Sequence, residues 1–199
     1  MKITFGEHIV VSGLTGSGKT TFVKKIIPNK NVIVFDLKGL GEWDNFFEHS
    51  TILCSKDFLY SRRISGNKDN VYIIKFYALS EDIIRDFETI ITFLYENVKC
   101  RYTIVIDDAF PVATSKKLEQ VFSISRSKFT LVIVSQYIKN FASMIKANAC
   151  HLIFFSQNVW AVDRLDFLTK RDKNIISHLK RYDFYYVNGF TNERKVYKS

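Results

Sequence analysis

Residues Gly13-Leu14-Thr15-Gly16-Ser17-Gly18-Lys19-Thr20 satisfy the phosphate-binding loop pattern G-x-x-x-x-G-K-[ST] at each fixed position. The chemistry demands those residue types. Glycines let successive backbone N–H groups turn inward with no Cβ in the way, which makes a concave anion site. The helix that starts at the end of the loop, through Thr21, aims its positive dipole end at the same phosphates. Lys19 supplies a mobile charge for the β- and γ-phosphates, and the Thr20 hydroxyl is a ligand for Mg²⁺. The pattern implies ATP or a related nucleoside triphosphate, held with Mg²⁺.

A second signal lies downstream. Tyr102 to Ile106 is a fully apolar run that ends in Asp107-Asp108. Asp107 suits the metal, because a hard cation takes carboxylate oxygen. Asp108 suits the attacking water, which it would orient or deprotonate. Two adjacent acids at the end of a buried strand are costly without a cation near them. The plainer reading makes Asp108 a turn or cap residue before Pro111. Gln136 closes the next apolar run, Phe129 to Val134. An amide there can hydrogen-bond both water and γ-phosphate, as a hydrolysis sensor would, although a Gln at a strand end carries little weight alone.

These residues need a scaffold that collects them. Residues 8–12 read as a strand, and Thr21 to Ile27 as a helix stopped by Pro28. Asn31 to Phe35, Thr51 to Cys54 and Val71 to Phe76 are further strands, the first followed by Asp36. Residues 55–70, with Arg62, Arg63, Gly66, Asn67 and Asn70, read as an irregular basic excursion. Ser80 caps a long helix, with Glu81 and Asp82 in its first turn and Ile83, Ile84, Phe87, Ile90, Ile91 and Leu94 on one face. Helices are expected from Thr114 to Ser125, around Lys139 to Ala147, and near 162–168 and 172–180. His151 to Phe155 is a strand, and Asp183 to Val187 with Arg194 to Tyr197 forms a hairpin whose turn starts at Asn188-Gly189. Continuous apolar strands alternating with helices predict an α/β fold. Its mainly parallel central sheet carries helices on both faces, as in RecA-like P-loop NTPases, and ends in a C-terminal β-hairpin. Such sheets bind ligands at the carboxyl ends of their strands, where Gly13, Asp36, Asp107, Asp108 and Gln136 fall.

Residues 1–199 are expected to form one P-loop ATPase domain. No apolar run reaches the ~18 residues of a membrane span, and a strand within ten residues of Met1 leaves no room for a signal peptide. Cys54, Cys100 and Cys150 are isolated and read as reduced thiols of a cytosolic protein. The net charge of +9 is uneven. Residues 56–75 hold five basic against two acidic side chains, and residues 164–199 hold nine against four. Basic charge away from the loop suggests a polyanion, above all nucleic acid. The bland alternative is a lysine-rich surface that aids solubility.

The order of phosphate loop, Phe35-Asp36-Leu37-Lys38, Ile106-Asp107-Asp108 and Val134-Ser135-Gln136 resembles the FtsK–HerA superfamily of DNA-pumping ATPases. Ile145-Lys146-Ala147-Asn148 and the later Asp163-Arg164 also resemble that superfamily's pattern after its sensor glutamine. The resemblance covers roughly residues 8–168, with Ser135-Gln136 standing where the superfamily usually has Thr-Gln. Within it, a short motor with Asp-Asp after the apolar strand is most similar to genome-packaging ATPases of icosahedral viruses with internal membranes. That resemblance implies a homo-oligomeric ring, ATP hydrolysed between neighbours and sequence-independent passage of double-stranded DNA. It further implies docking at a viral capsid vertex, and action in the cytoplasm of an infected cell or in association with the virion. It also implies an arginine finger in trans, with two candidates. Arg126 lies just before the sensor strand, and Arg164 matches the superfamily position in order and is preferred.

Two other functions compete. A small-molecule kinase of nucleotide-kinase type would use the basic residues of 164–181 as a lid. Asp107-Asp108 with a strand-end Gln suits water, not a substrate hydroxyl. A non-hydrolysing nucleotide switch would need neither acid.

Overall fold

The computed structural model describes residues 3–61, 70–76, 82–141 and 143–199. Among these residues nine strands form one sheet: β1 (Ile9–Ser12), β2 (Val32–Asp36), β3 (Thr51–Cys54), β4 (Val71–Lys75), β5 (Tyr102–Asp107), β6 (Phe129–Ser135), β7 (His151–Phe155), β8 (Phe184–Asn188) and β9 (Arg194–Tyr197). Their order is β3-β4-β2-β5-β6-β1-β7-β8-β9. The first seven run parallel, and β8 and β9 close one side as an antiparallel hairpin. The α/β reading holds, hairpin included.

Alternation along the strands sorts the core into two layers. Val10, Ile104, Ile106, Leu131 and Ile133 face one side. There they meet α2 (Ser55–Ser61), α3 (Ile83–Asn97), α4 (Lys116–Ile124), α6 (Val159–Asp163) and α7 (Lys170–Ser177) through Phe58, Phe87, Phe122, Val162 and Ile176. Ile9, Val11, Val105, Val132 and Val134 face the other side, against α1 (Lys19–Ile26), Trp43 and Phe47. Strands buried on both faces need no polar alternation, which is why they read as unbroken apolar runs.

Local boundaries differ from the sequence reading in three places. Ser55 to Ser61 is helical, not irregular, and buries Phe58 against α3. A seven-residue helix shows too few turns for its period to stand out. The expected helix over Lys139 to Ala147 is broken. A 3₁₀ turn at Ile138–Asn140 and α5 (Ser143–Asn148) flank Phe141, whose backbone is extended and whose ring is in the core. The segments placed near 162–168 and 172–180 are α6 and α7, each starting earlier. Thr169 and Asp172 make a reciprocal capping box at the start of α7. Asn188 starts the hairpin turn as expected, its Oδ1 accepting from the N–H groups of Phe190 (2.9 Å) and Thr191 (3.0 Å). Arg62, Arg63, Gly66, Asn67, Ser80 and Glu81 lie outside the described residues. Asp82 is the N-cap residue of α3.

Candidate functional site

The phosphate loop leaves the sheet between two neighbours. β1 lies between β6 and β7, so Gln136 and Ser156 flank the loop from either side. The Leu14 N–H donates to the Ser156 carbonyl at 3.0 Å, and the Ser17 N–H to the Leu14 carbonyl at 3.2 Å. Gly13 is packed so that a Cβ would stand 2.6 Å from that of Phe155. Gly16 and Gly18 take φ of 73° and 104°, which a side chain would resist. Thr15, Gly16 and Thr21 are exposed at the mouth.

Helix α1 begins without the usual polar lid. Gly18 at its N-cap offers no side chain, and no acid occupies the first turn. Its first N–H groups therefore want an external acceptor. The Ser17 hydroxyl is buried with no partner among the described residues. An orphaned hydroxyl beside an uncapped helix start fits an anion supplied by a ligand. Lys19 is buried, and its Nζ donates to the Leu14 carbonyl at 2.8 Å. Burial pulls its pKa down, and the nearby Asp108 and Asp107 push it back up.

By strand alternation Asp107 follows Val105 onto the α1 face, and there it meets Thr20. The Thr20 hydroxyl lies 3.3 Å and 3.5 Å from the two carboxylate oxygens. Asp107 Oδ2 accepts from the Trp43 indole N–H at 2.8 Å, and Oδ1 from the Asp108 N–H at 3.0 Å. Trp43 is itself delivered by Asp36, whose Oδ1 accepts from the Gly39 N–H (2.9 Å) and Oδ2 from the Gly41 N–H (3.2 Å). Those bonds fold the loop that carries Trp43 under α1. Burial pushes the Asp107 carboxyl up to about 6, against the Trp43 hydrogen bond and with help from Asp108. A hydroxyl and a desolvated carboxylate side by side fit Mg²⁺ shared with phosphate oxygens. No cluster of three or more His, Cys, Asp or Glu among the described residues would make an all-protein cage.

Asp108 takes φ of 53°, a left-handed conformation that Asp tolerates. The turn aims its carboxylate at Lys38 Nζ, 2.7 Å away, and lets the Ala109 N–H reach the Val134 carbonyl at 2.8 Å. Gln136 is half-buried at the adjacent strand end. Its carbonyl accepts from Ser12 Oγ at 3.4 Å, and Ser12 Oγ accepts from Gln157 Nε2 at 3.1 Å. Lys19, Thr20, Asp107, Asp108 and Gln136 are thus collected at one edge of the sheet.

The two arginines part company. Arg164 ends α6, is exposed, and holds its guanidinium 5.8 Å over the Trp160 ring. Trp160 in turn lies 5.9 Å from Tyr137, beside Gln136. Arg126 sits near the start of β6, at the opposite edge, and donates to the Asn148 carbonyl at 2.9 Å.

Sequence reasoning missed Trp43, Gln157 and Arg181. An isolated Trp seven residues past β2 gives no signal for a carboxylate at the end of β5, three strands later in sequence. Gln157 follows an apolar strand, as Gln136 does, and that shared position was the available hint.

The charge at Asp107 has a stability consequence. Its folded pKa lies above the ordinary carboxylate value of about 3.9, so the folded state holds the proton more tightly. The resulting stabilisation is present at low pH and is lost as pH rises through about 6. Asp107→Asn should therefore raise the melting temperature of the nucleotide-free protein near pH 8, by a few degrees for roughly 1–2 kcal/mol. The gain should vanish near pH 4. A thermal melt that falls equally at both values would contradict a carboxylate whose burial outweighs its hydrogen bonds.

No family model matches the sequence, and no curated protein matches it. The fold has solved counterparts. The genome packaging NTPase B204 from Sulfolobus turreted icosahedral virus 2, in complex with sulfate, superposes with a TM-score of 0.73 at 15% identity, covering 98% of each chain. VirB4 of Thermoanaerobacter pseudethanolicus gives 0.68 at 12% identity, over 96% of this chain and 88% of that one. The N-terminal domain of zonular occludens toxin from Neisseria meningitidis gives 0.52 at 12% identity, over 98% and 95%. The chain therefore shares its fold with these three proteins. B204 has also been solved with AMPPCP and with ATP-γS.

Proposed function

We propose that the chain is an Mg²⁺-dependent ATPase that drives double-stranded DNA, in the manner of a viral genome-packaging motor. The observation that carries the reading is the uncapped start of α1 with the orphaned Ser17 hydroxyl, facing Thr20 and Asp107. Loop N–H groups, Ser17 and Lys19 bind the triphosphate. Thr20 and Asp107 would hold Mg²⁺, which would offset charge on the β- and γ-phosphates. Asp108 accepts the proton of the attacking water once Lys38 has moved off it, and Gln136 orients that water. The fold shared with B204 supports the packaging role. On this reading subunits form a ring at a capsid vertex, in the cytoplasm of an infected cell or in association with the virion. No helix among the described residues is long and apolar enough to cross a membrane.

The test is the ATP hydrolysis rate of the purified protein with and without double-stranded DNA, which a motor should raise. Turnover unchanged by DNA, or phosphate passed to a small acceptor, would favour the kinase. Binding should be indifferent to sequence and governed by the basic excess in 164–199 and 56–75. Log affinity should fall linearly with log salt, with a slope of about −0.9 per phosphate neutralised. A flat salt dependence, or strong preference for one DNA sequence, would contradict the DNA assignment.

A further inference from the structure

Two pockets open side by side at the loop and share Gly18, Thr21 and Tyr182. The smaller, about 230 Å³, holds Lys19 and Thr20 together with Glu42 and Arg181. The larger, about 580 Å³, is walled by Phe22, Phe155 and Phe184, with Lys25 and Lys198 on its lining. It has the size of a small-molecule pocket, and the phosphate chemistry does not use it.

Tyr182 stands on the boundary between them in an unusual conformation. Its φ is 73°, left-handed backbone that an aromatic residue rarely adopts. It occupies the third place of the turn Lys180 to Asp183, closed by the Asp183 N–H on the Lys180 carbonyl at 3.1 Å. Turns that need positive φ at this place favour glycine. Strain of this kind persists where its surroundings hold it and where it serves a site. Here the surroundings hold it from two sides. Asp183 Oδ1 accepts from the Ser199 N–H (3.0 Å) and Oγ (3.3 Å) on one side. On the other side Arg181 Nε donates to the Gly16 carbonyl at 3.2 Å. The result lays the Tyr182 ring on the loop backbone, so close that a Cβ on Gly18 would be 2.6 Å from its Cδ1. The residue stays 47% exposed, with the Arg181 guanidinium 4.9 Å over its ring.

We propose that Arg181-Tyr182 is a nucleotide clamp. Tyr182 and the phenylalanine wall take the nucleobase by stacking, and Arg181 transfers from the Gly16 carbonyl to a phosphate oxygen. The proposal rests on the reading of the loop as a triphosphate site. It extends that reading to base selection. Among the described residues the aromatic pocket has no Asn, Gln, Asp or Glu on its lining, so none of these supplies a side-chain amide or carboxylate to read the base edge. Stacking tolerates every base, since each has a π-face. ATP and GTP should therefore bind with affinities within a few fold of each other.

The experiment is calorimetric titration with ATP, GTP and inorganic tripolyphosphate. The proteins are wild type, Tyr182→Ala, Tyr182→Phe, Tyr182→Gly and Arg181→Ala. Tyr182→Ala should weaken ATP and GTP by about tenfold or more, the usual worth of one stacked base, and leave tripolyphosphate unchanged. Tyr182→Phe should retain wild-type affinity. Tyr182→Gly suits the turn better, so it should fold at least as stably and still lose ATP affinity. Arg181→Ala should weaken all three ligands by a similar factor. The clamp is overturned if wild type binds ATP and tripolyphosphate but the Tyr182 variants lose neither, or lose both equally. It is likewise overturned if wild type prefers ATP to GTP by about a hundredfold. If wild type binds neither ATP nor tripolyphosphate, the triphosphate reading itself falls.

Discussion

The Lys19→Ala protein is expected to fold and yet to hydrolyse no measurable ATP. Lys19 is the one cation that the loop itself carries, and it is buried with its Nζ only 2.8 Å from the Leu14 carbonyl. That bond parks the ammonium in the loop, from where a short swing reaches a bound phosphate. A preorganised donor aimed at developing charge is worth about 10²–10³ in turnover when removed. Here it also carries ground-state binding, so affinity and rate should fall together. Stability should change little or rise, because burial already depresses the Lys19 pKa and its charge is costly where it sits. Phosphate release and ATP titration check the first part, and a thermal melt checks the second. Near-normal turnover in a folded Lys19→Ala protein would remove the triphosphatase assignment.

The parts of this site that were legible in the sequence are those held by short-range rules. The loop from Gly13 to Thr20 is a contiguous pattern. Asp107, Asp108 and Gln136 could be placed because buried parallel strands read as apolar runs whose carboxyl ends share one edge. Trp43 obeys no such rule. It reaches Asp107 only because Asp36 binds the Gly39 and Gly41 N–H groups and bends the intervening loop beneath α1. That is a tertiary arrangement with no periodicity to betray it. Tyr182 was hidden for a related reason. A turn with positive φ is foretold by glycine or asparagine, and the aromatic residue there contradicts its own local preference. Such conflicts between local preference and fold cluster at functional positions, which is why the residue draws notice only in three dimensions. Helix α2 was lost to length alone, and the break at Phe141 to a core anchor inside an otherwise helical stretch.

The arginine finger is where the ring reading is most exposed to test. Motif order already preferred Arg164 to Arg126, and their surroundings separate them further. Arg164 lies after β7 on the edge that carries the loop, exposed, and steadied over Trp160. Arg126 is at the far edge, tied to the Asn148 carbonyl and 5.4 Å over Phe190. An arginine that must reach a neighbour's γ-phosphate costs less to deploy when no backbone acceptor has to be given up. Arg164→Ala should therefore lower turnover on the order of 10³-fold with ATP affinity nearly unchanged, and Arg126→Ala should lower it far less. Loss of rate alone does not show action in trans, so the decisive measurement mixes two inactive proteins. Arg164→Ala keeps its own loop, and Lys19→Ala keeps its own arginine. In mixed rings some interfaces join an intact loop to an intact Arg164, and turnover should recover to a fraction set by the mixing ratio. The same mixture made with Arg126→Ala tests the other arginine. If mixed oligomers form and neither mixture regains activity, the catalytic cation is supplied within the subunit or by another residue. Arg181, already on the Gly16 carbonyl, would then be the residue to test next.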